Sequence, residues 1–85
     1  MPLFLIERNF AKELEVTNEG AAAIKQVNAD VGVNWLFSFL SADKKKTYCL
    51  YEASDAAAIR AAAERANLPA DAIIEVSELN PAMFA

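Results

Sequence analysis

The sequence predicts an α+β domain with the element order β-α-β-β-α-β, and three observations predict it. Leu3 to Phe10 and Val33 to Leu40 are short apolar runs rich in aromatic and branched residues, the pattern of strands. Two alanine-rich stretches carry their larger apolar residues at helical spacing. The polar turn "SADKKK" separates Val33–Leu40 from a second strand-like run, Thr47 to Glu52, so those two form a hairpin.

The first strand sends Phe4, Ile6, Arg8 and Phe10 to one face and Leu3, Leu5, Glu7 and Asn9 to the other. Pro2 sits at its start, where no ladder hydrogen bond is lost. Thr17 or Asn18 caps the first helix and Glu19 suits its dipole. Ala23, Ile24, Val27 and Val31 then share a face, and Gly32 is a stop. Strict alternation along the second strand puts Trp35, Phe37 and Phe39 on one side and Asn34, Leu36, Ser38 and Leu40 on the other. Ser54 or Asp55 caps the second helix, "AAAIRAAAERA", which Asn67 ends in a left-handed turn before Pro69. Asp71 caps a short turn, and Ile73 to Glu78 is the last strand, with Ile74 and Val76 on one face. The tail "NPAMFA" brings Met83 and Phe84 to dock on a surface. This order is the ferredoxin-like βαββαβ motif: a four-stranded antiparallel sheet with two helices on one face.

Residues 1–85 make a single domain at this length. The net charge of −4 lacks the basic footprint of a nucleic-acid binder, and Lys44–Lys46 is a solvated hairpin tip. No apolar run is long enough to cross a membrane, and the start lacks a signal-peptide pattern. The single cysteine suits a reducing compartment, so the expected location is cytoplasmic. Both sheet faces carry large apolar groups, although the helices cover only one. The second face therefore predicts self-association, a homodimer or higher even oligomer.

Four stretches follow one family pattern in order: "FLIERNF", "VGVNWLFSFLSADKKKTYCLYEAS", "AIRAAAERANLPADAIIEV" and "ELNPAMF". In these the chain resembles the small nickel-binding, ferredoxin-like proteins, a domain family of unknown function. The resemblance covers nearly the whole chain, and its most specific block runs from Trp35 to Ala53. It implies a dimeric α+β barrel, in which two sheets enclose a shared interior. It also implies nickel, held by histidines at positions that correspond here to Arg8, Phe37 and Leu68. This chain has no histidine. Arginine is a permanent cation that only donates hydrogen bonds, so it cannot replace a ligand. No cofactor is expected on that ground.

The candidate ligand-binding residues are Arg8, Trp35, Phe37, Tyr51 and Glu52. Arg8 shares a face with Phe4 and Ile6 and is buried if that face is covered. It then either forms an ion pair with Glu52 or Glu75, or clamps an anionic or carbonyl-bearing ligand with its planar fork. The aromatic residues either pack the core or line a pocket. Whether Tyr48 or Tyr51 joins Trp35 depends on hairpin register, which the sequence leaves open. Cys49 reads as packing, because a Cys–His nucleophile is impossible here. The function expected is a small binding protein holding a small molecule in a sheet-lined cavity. The alternatives are a cofactor-free enzyme with Glu52 as base and Arg8 as electrostatic stabiliser, and a structural assembly module.

Overall fold

The computed structural model describes residues 1–15 and 17–84. Strands β1 (Leu3–Asn9), β2 (Asn34–Leu40), β3 (Lys46–Glu52) and β4 (Ala72–Val76) form one antiparallel sheet in the order β2-β3-β1-β4. Helices α1 (Asn18–Asp30) and α2 (Ala56–Ala66) connect them, and a short 3₁₀ turn, Pro81–Phe84, follows β4. This is the α+β ferredoxin-like fold. Of the tail "NPAMFA", Ala85 lies outside the described residues. No helix among the described residues is long and apolar enough to cross a membrane.

The punctuation works as the residue chemistry requires. Thr17 caps α1 by accepting from the Gly20 N–H, and Asp55 caps α2 by accepting from the Ala58 N–H. Each bond satisfies one of the amides that a helix start leaves unpaired. Asn67 ends α2 at φ 56°, the left-handed conformation asparagine tolerates. Gly32 turns the chain after α1 at φ 71°, where a side chain would be strained. Asp71 accepts from the Asn9 N–H at 2.7 Å, tying the start of β4 to the end of β1. In the hairpin tip Asp43 accepts from the Ser41 hydroxyl and the Lys45 N–H. The Ser41 hydroxyl bond, first, and the Lys45 amide hold the Asp43 carboxyl below its ordinary range.

The core lies between the helices and one face of the sheet. Phe4 and Ile6 of β1, Cys49 and Tyr51 of β3, and Ile59 and Ala62 of α2 are all buried there. On α1 the inward face carries Ala21, Ile24, Val27 and the buried Asn28, whereas Ala23, expected on that face, is exposed. One position of offset around a 3.6-residue helix explains the difference: residues 21, 24, 28 and 31 form one stripe.

A β-bulge in β2 redistributes the aromatic residues. Trp35 pairs with Tyr51 and Phe37 with Leu50, so Leu36 is the extra residue. The expected single-face set Trp35, Phe37 and Phe39 is therefore divided. Trp35 and Ser38 face the helices, because their partners Tyr51 and Cys49 do. Phe37 and Phe39 lie on the open face, opposite Leu50 and Tyr48. Their rings meet edge to face at 5.5 Å.

The open face is strongly apolar. Phe37 is 50% exposed, Phe39 64% and Ile74 53%. Half-buried Leu3, Leu5, Leu50 and Val76 fill the rows between them. It also carries a Lys46–Glu7 ion pair at 3.1 Å, and the hydrogen bond to Glu7 raises the Lys46 ammonium above its ordinary value. Met83 and Phe84, expected to dock, stand exposed.

Candidate functional site

A cavity of about 280 Å³ opens between the helix-facing side of the sheet and α1. Its floor is made by β1, β2 and β3, through Arg8, Trp35, Ser38, Thr47, Cys49 and Tyr51. Its roof is α1, through Gly20, Ala21 and Ile24. Its side is the segment after β1, through Phe10 and Leu14. That segment has no helix or strand of its own. Two backbone bonds fix it to the hairpin: Phe10 N–H to the Lys45 carbonyl and Leu14 N–H to the Lys44 carbonyl, both 2.7 Å.

The small side chains decide why there is space. Gly20 and Ala21 line it from the first turn of α1 with little or no side chain. Trp35 supplies a flat wall. Its indole N–H donates to the Ser38 hydroxyl at 2.9 Å, so the ring meets its polar requirement within its own strand. The bulge makes that bond possible by bringing positions 35 and 38 to one face.

Arg8 is the charged group of the interior, with 4% of its surface exposed. Its fork donates to the Pro69 carbonyl at 2.6 Å and more weakly to the Tyr51 hydroxyl at 3.5 Å. Its guanidinium carbon lies 5.9 Å from the centre of the Tyr51 ring, a cation–π distance. The expected carboxylate partners are elsewhere. Glu52 belongs to the open face and accepts from the Asn34 amide at 2.9 Å. Glu75 pairs with Phe4 in the sheet but is exposed. The ion pairs among the described residues are Lys46–Glu7 and Arg65–Asp30, and neither includes Arg8. A guanidinium buried this far ordinarily needs a matching anion.

Tyr51 stands beside Arg8 and lines the cavity. Burial pushes its pKa above the ordinary 10.0, and the adjacent Arg8 charge opposes this. The Asn28 side chain also favours the phenolate slightly. Its amide nitrogen is nevertheless buried without a hydrogen-bond partner among the described residues. Cys49 is buried on the cavity floor, with its thiol 3.6 Å from the Thr47 hydroxyl.

Of the five candidate residues, the fold brings Arg8, Trp35 and Tyr51 together around this cavity. It sends Phe37 and Glu52 to the opposite face, so the sequence-based set is corrected there. For Phe37 the cause is the bulge. For Glu52 it is simple alternation once Tyr51 faces inward. A Glu52 base and an Arg8 stabiliser consequently stand on opposite faces of one sheet and cannot act on one substrate. Sequence reasoning missed Ser38, Thr47, Leu14 and Ile24 as lining residues. Ser38 was the legible clue, as the one hydroxyl in an aromatic strand.

The chemistry available in the cavity is an apolar, aromatic-walled space with one buried cation, a few hydroxyl and thiol groups, and the exposed Glu15 carboxylate. No cluster of three or more His, Cys, Asp or Glu residues occurs among the described residues. Arg8 and Leu68, two of the positions compared with histidines, line the cavity, whereas Phe37 does not.

A family model described as "Nickel responsive protein SCO4226-like" matches residues 4–76. Among solved structures, the chain is similar to SCO4226 from Streptomyces coelicolor A3(2), with a TM-score of 0.70 and 23% identity. That likeness covers 92% of this chain and 99% of the other, and at this identity it speaks for the fold alone. No curated protein matches the chain.

Proposed function

The chain belongs to the family of SCO4226-like nickel-responsive proteins, and from that premise we propose that it is a small-molecule binding protein whose site is the cavity beneath α1. The observation that carries this reading is the buried Arg8 guanidinium, which borders a cavity of about 280 Å³ without a carboxylate partner among the described residues. A volume of that size lies just below the roughly 300–1,000 Å³ typical of ligand pockets, which suits a small ligand. Aromatic and aliphatic walls with few polar groups suit an apolar body.

The donor set does not fit nickel. The sequence contains no histidine, and the buried Arg8 cation on the cavity floor repels a metal cation. Thiolate and carboxylate also bind nickel, but Cys49 and Glu15 are the only two such side chains in the lining, and no group of three or more His, Cys, Asp or Glu occurs among the described residues. No nickel-dependent step is derived for this chain.

The open sheet face supports a second feature, self-association. Several half-exposed aromatic and aliphatic side chains there each have roughly 1.5–3 kcal/mol to gain from full burial. A second copy presenting the same face is the simplest cover. Binding of small molecules and pairing of copies then use opposite faces of the sheet.

Trp35 is the single tryptophan and lines the cavity, so its emission reports on occupancy. The test titrates a small neutral apolar probe, 1-octanol, into the native protein and into Ala21→Met, which fills the roof. A saturable change in Trp35 emission that the substitution removes is the expected result. An unchanged emission with this probe and with its charged counterparts would remove the cavity from consideration.

A further inference from the structure

We propose that the ligand class of this cavity is a small monocarboxylate with an apolar body, its carboxylate seated on the Arg8 guanidinium. The inference rests on the binding reading above and adds the charge, size and orientation of the ligand.

Charge comes first. Arg8 is buried, permanently protonated, and bonded to a carbonyl and a hydroxyl but to no anion among the described residues. Those two bonds leave other N–H groups of the fork without an acceptor among the described residues. A neutral carbonyl satisfies hydrogen bonding but does not balance the charge, whereas a carboxylate does both. Glu15 also lines the cavity but is exposed and makes no ion pair with Arg8, so the one buried cation matches one negative charge. A phosphate monoester, which carries more charge, would ordinarily recruit further cations or a helix start aimed at it. The start of α1 already has its Gly20 amide occupied by the Thr17 hydroxyl at 3.0 Å.

Size and shape follow from the walls. The cavity volume of about 280 Å³ equals roughly nine water molecules at ~30 Å³ each, which fits a ligand of about ten non-hydrogen atoms. The apolar walls are Phe10, Leu14, Ile24, Trp35, Leu40 and Leu68, which suit an apolar body, and the one carboxylate of the lining, Glu15, is exposed. The Tyr51 hydroxyl lies beside the guanidinium, and burial keeps it protonated at neutral pH. It is therefore positioned as a second donor to the same head group.

Octanoate is the probe, compared with 1-octanol and octylamine, which share its chain and differ in the head. Trp35 emission is followed in the native protein and in Arg8→Gln, with circular dichroism to establish folding. Octanoate is expected to bind at least tenfold more tightly than 1-octanol, and octylamine more weakly than either. Arg8→Gln is expected to lose the preference for octanoate while 1-octanol binding persists. Equal binding of octanoate and 1-octanol by the native protein overturns the carboxylate assignment but leaves a cavity that binds small molecules. Failure of all three probes to alter the emission overturns the binding reading itself. The native comparison decides between these outcomes even if Arg8→Gln does not fold.

Discussion

Replacing Arg8 by methionine separates a binding residue from a structural brace. The side chain has 4% of its surface exposed and no carboxylate partner among the described residues. Two opposing effects set the outcome. The bond to the Pro69 carbonyl, at 2.6 Å, is charge-assisted, and bonds of that type contribute about 1.5–3 kcal/mol. The 3.5 Å contact with the Tyr51 hydroxyl is too long to add much. Against this stands the desolvation of an uncompensated guanidinium, which costs several kcal/mol. The Pro69 carbonyl is only partly buried and recovers water when released. Methionine fills a similar volume without charge. The difference favours the variant by about 1–2 kcal/mol in the absence of ligand, or ~4–16 °C in melting temperature for a domain of this size. Urea denaturation monitored by circular dichroism at pH 7 measures it, with the slope checked for constancy. A gain in stability with loss of octanoate binding identifies a residue kept for its ligand. A loss of more than about 2 kcal/mol would mean that Arg8 braces the α2–β4 connection, and the desolvation reasoning would be wrong.

Three further outcomes are expected. Phe39→Glu places a carboxylate at a position that is 64% exposed on the open face; the domain should stay folded and sediment as a monomer where the native protein sediments as a dimer. A native protein that is already monomeric refutes pairing through this face. Tyr51 has a folded-state pKa raised above 10.0 by burial, so its protonated form is favoured in the fold and its contribution is lost as pH rises through and beyond that value. Relative to Tyr51→Phe, the native protein should therefore lose stability from about pH 10 upward, and a constant difference across that rise contradicts the assignment. Nickel added to tag-free protein should be retained at well below one equivalent after gel filtration, because the chain has no histidine; retention of a full equivalent shows that its other donors suffice.

Much of the architecture was legible because single residues enforce it. The Thr17 and Asp55 caps, the left-handed Asn67 and Pro69 fixed the helix limits through local chemistry. Arg8 could be placed on the helix side by counting along β1 from Phe4 and Ile6. The faces of β2 were not legible in the same way. "NWLFSFL" is apolar at both parities, so alternation alone cannot reveal an extra residue. The bulge at Leu36 is stabilised by contacts that exist only after folding: the Trp35–Ser38 bond and the packing of Trp35 over Tyr51. Hairpin register likewise depends on tertiary pairing, so Tyr51 rather than Tyr48 could be assigned to the interior only from the sheet. Leu14 escaped notice because its segment has no period to read. Two bonds to the hairpin place it, and neither involves its own side chain.

The most direct measurement of the ligand site is a nitrogen-15 NMR titration of the native protein with octanoate. A site beneath α1 predicts the largest shifts at the Trp35 indole N–H and at the amides of Gly20, Ala21, Thr47 and Cys49, which surround the cavity. Shifts concentrated instead at Phe37, Phe39, Leu50 and Val76 would place the ligand on the open face and contradict it.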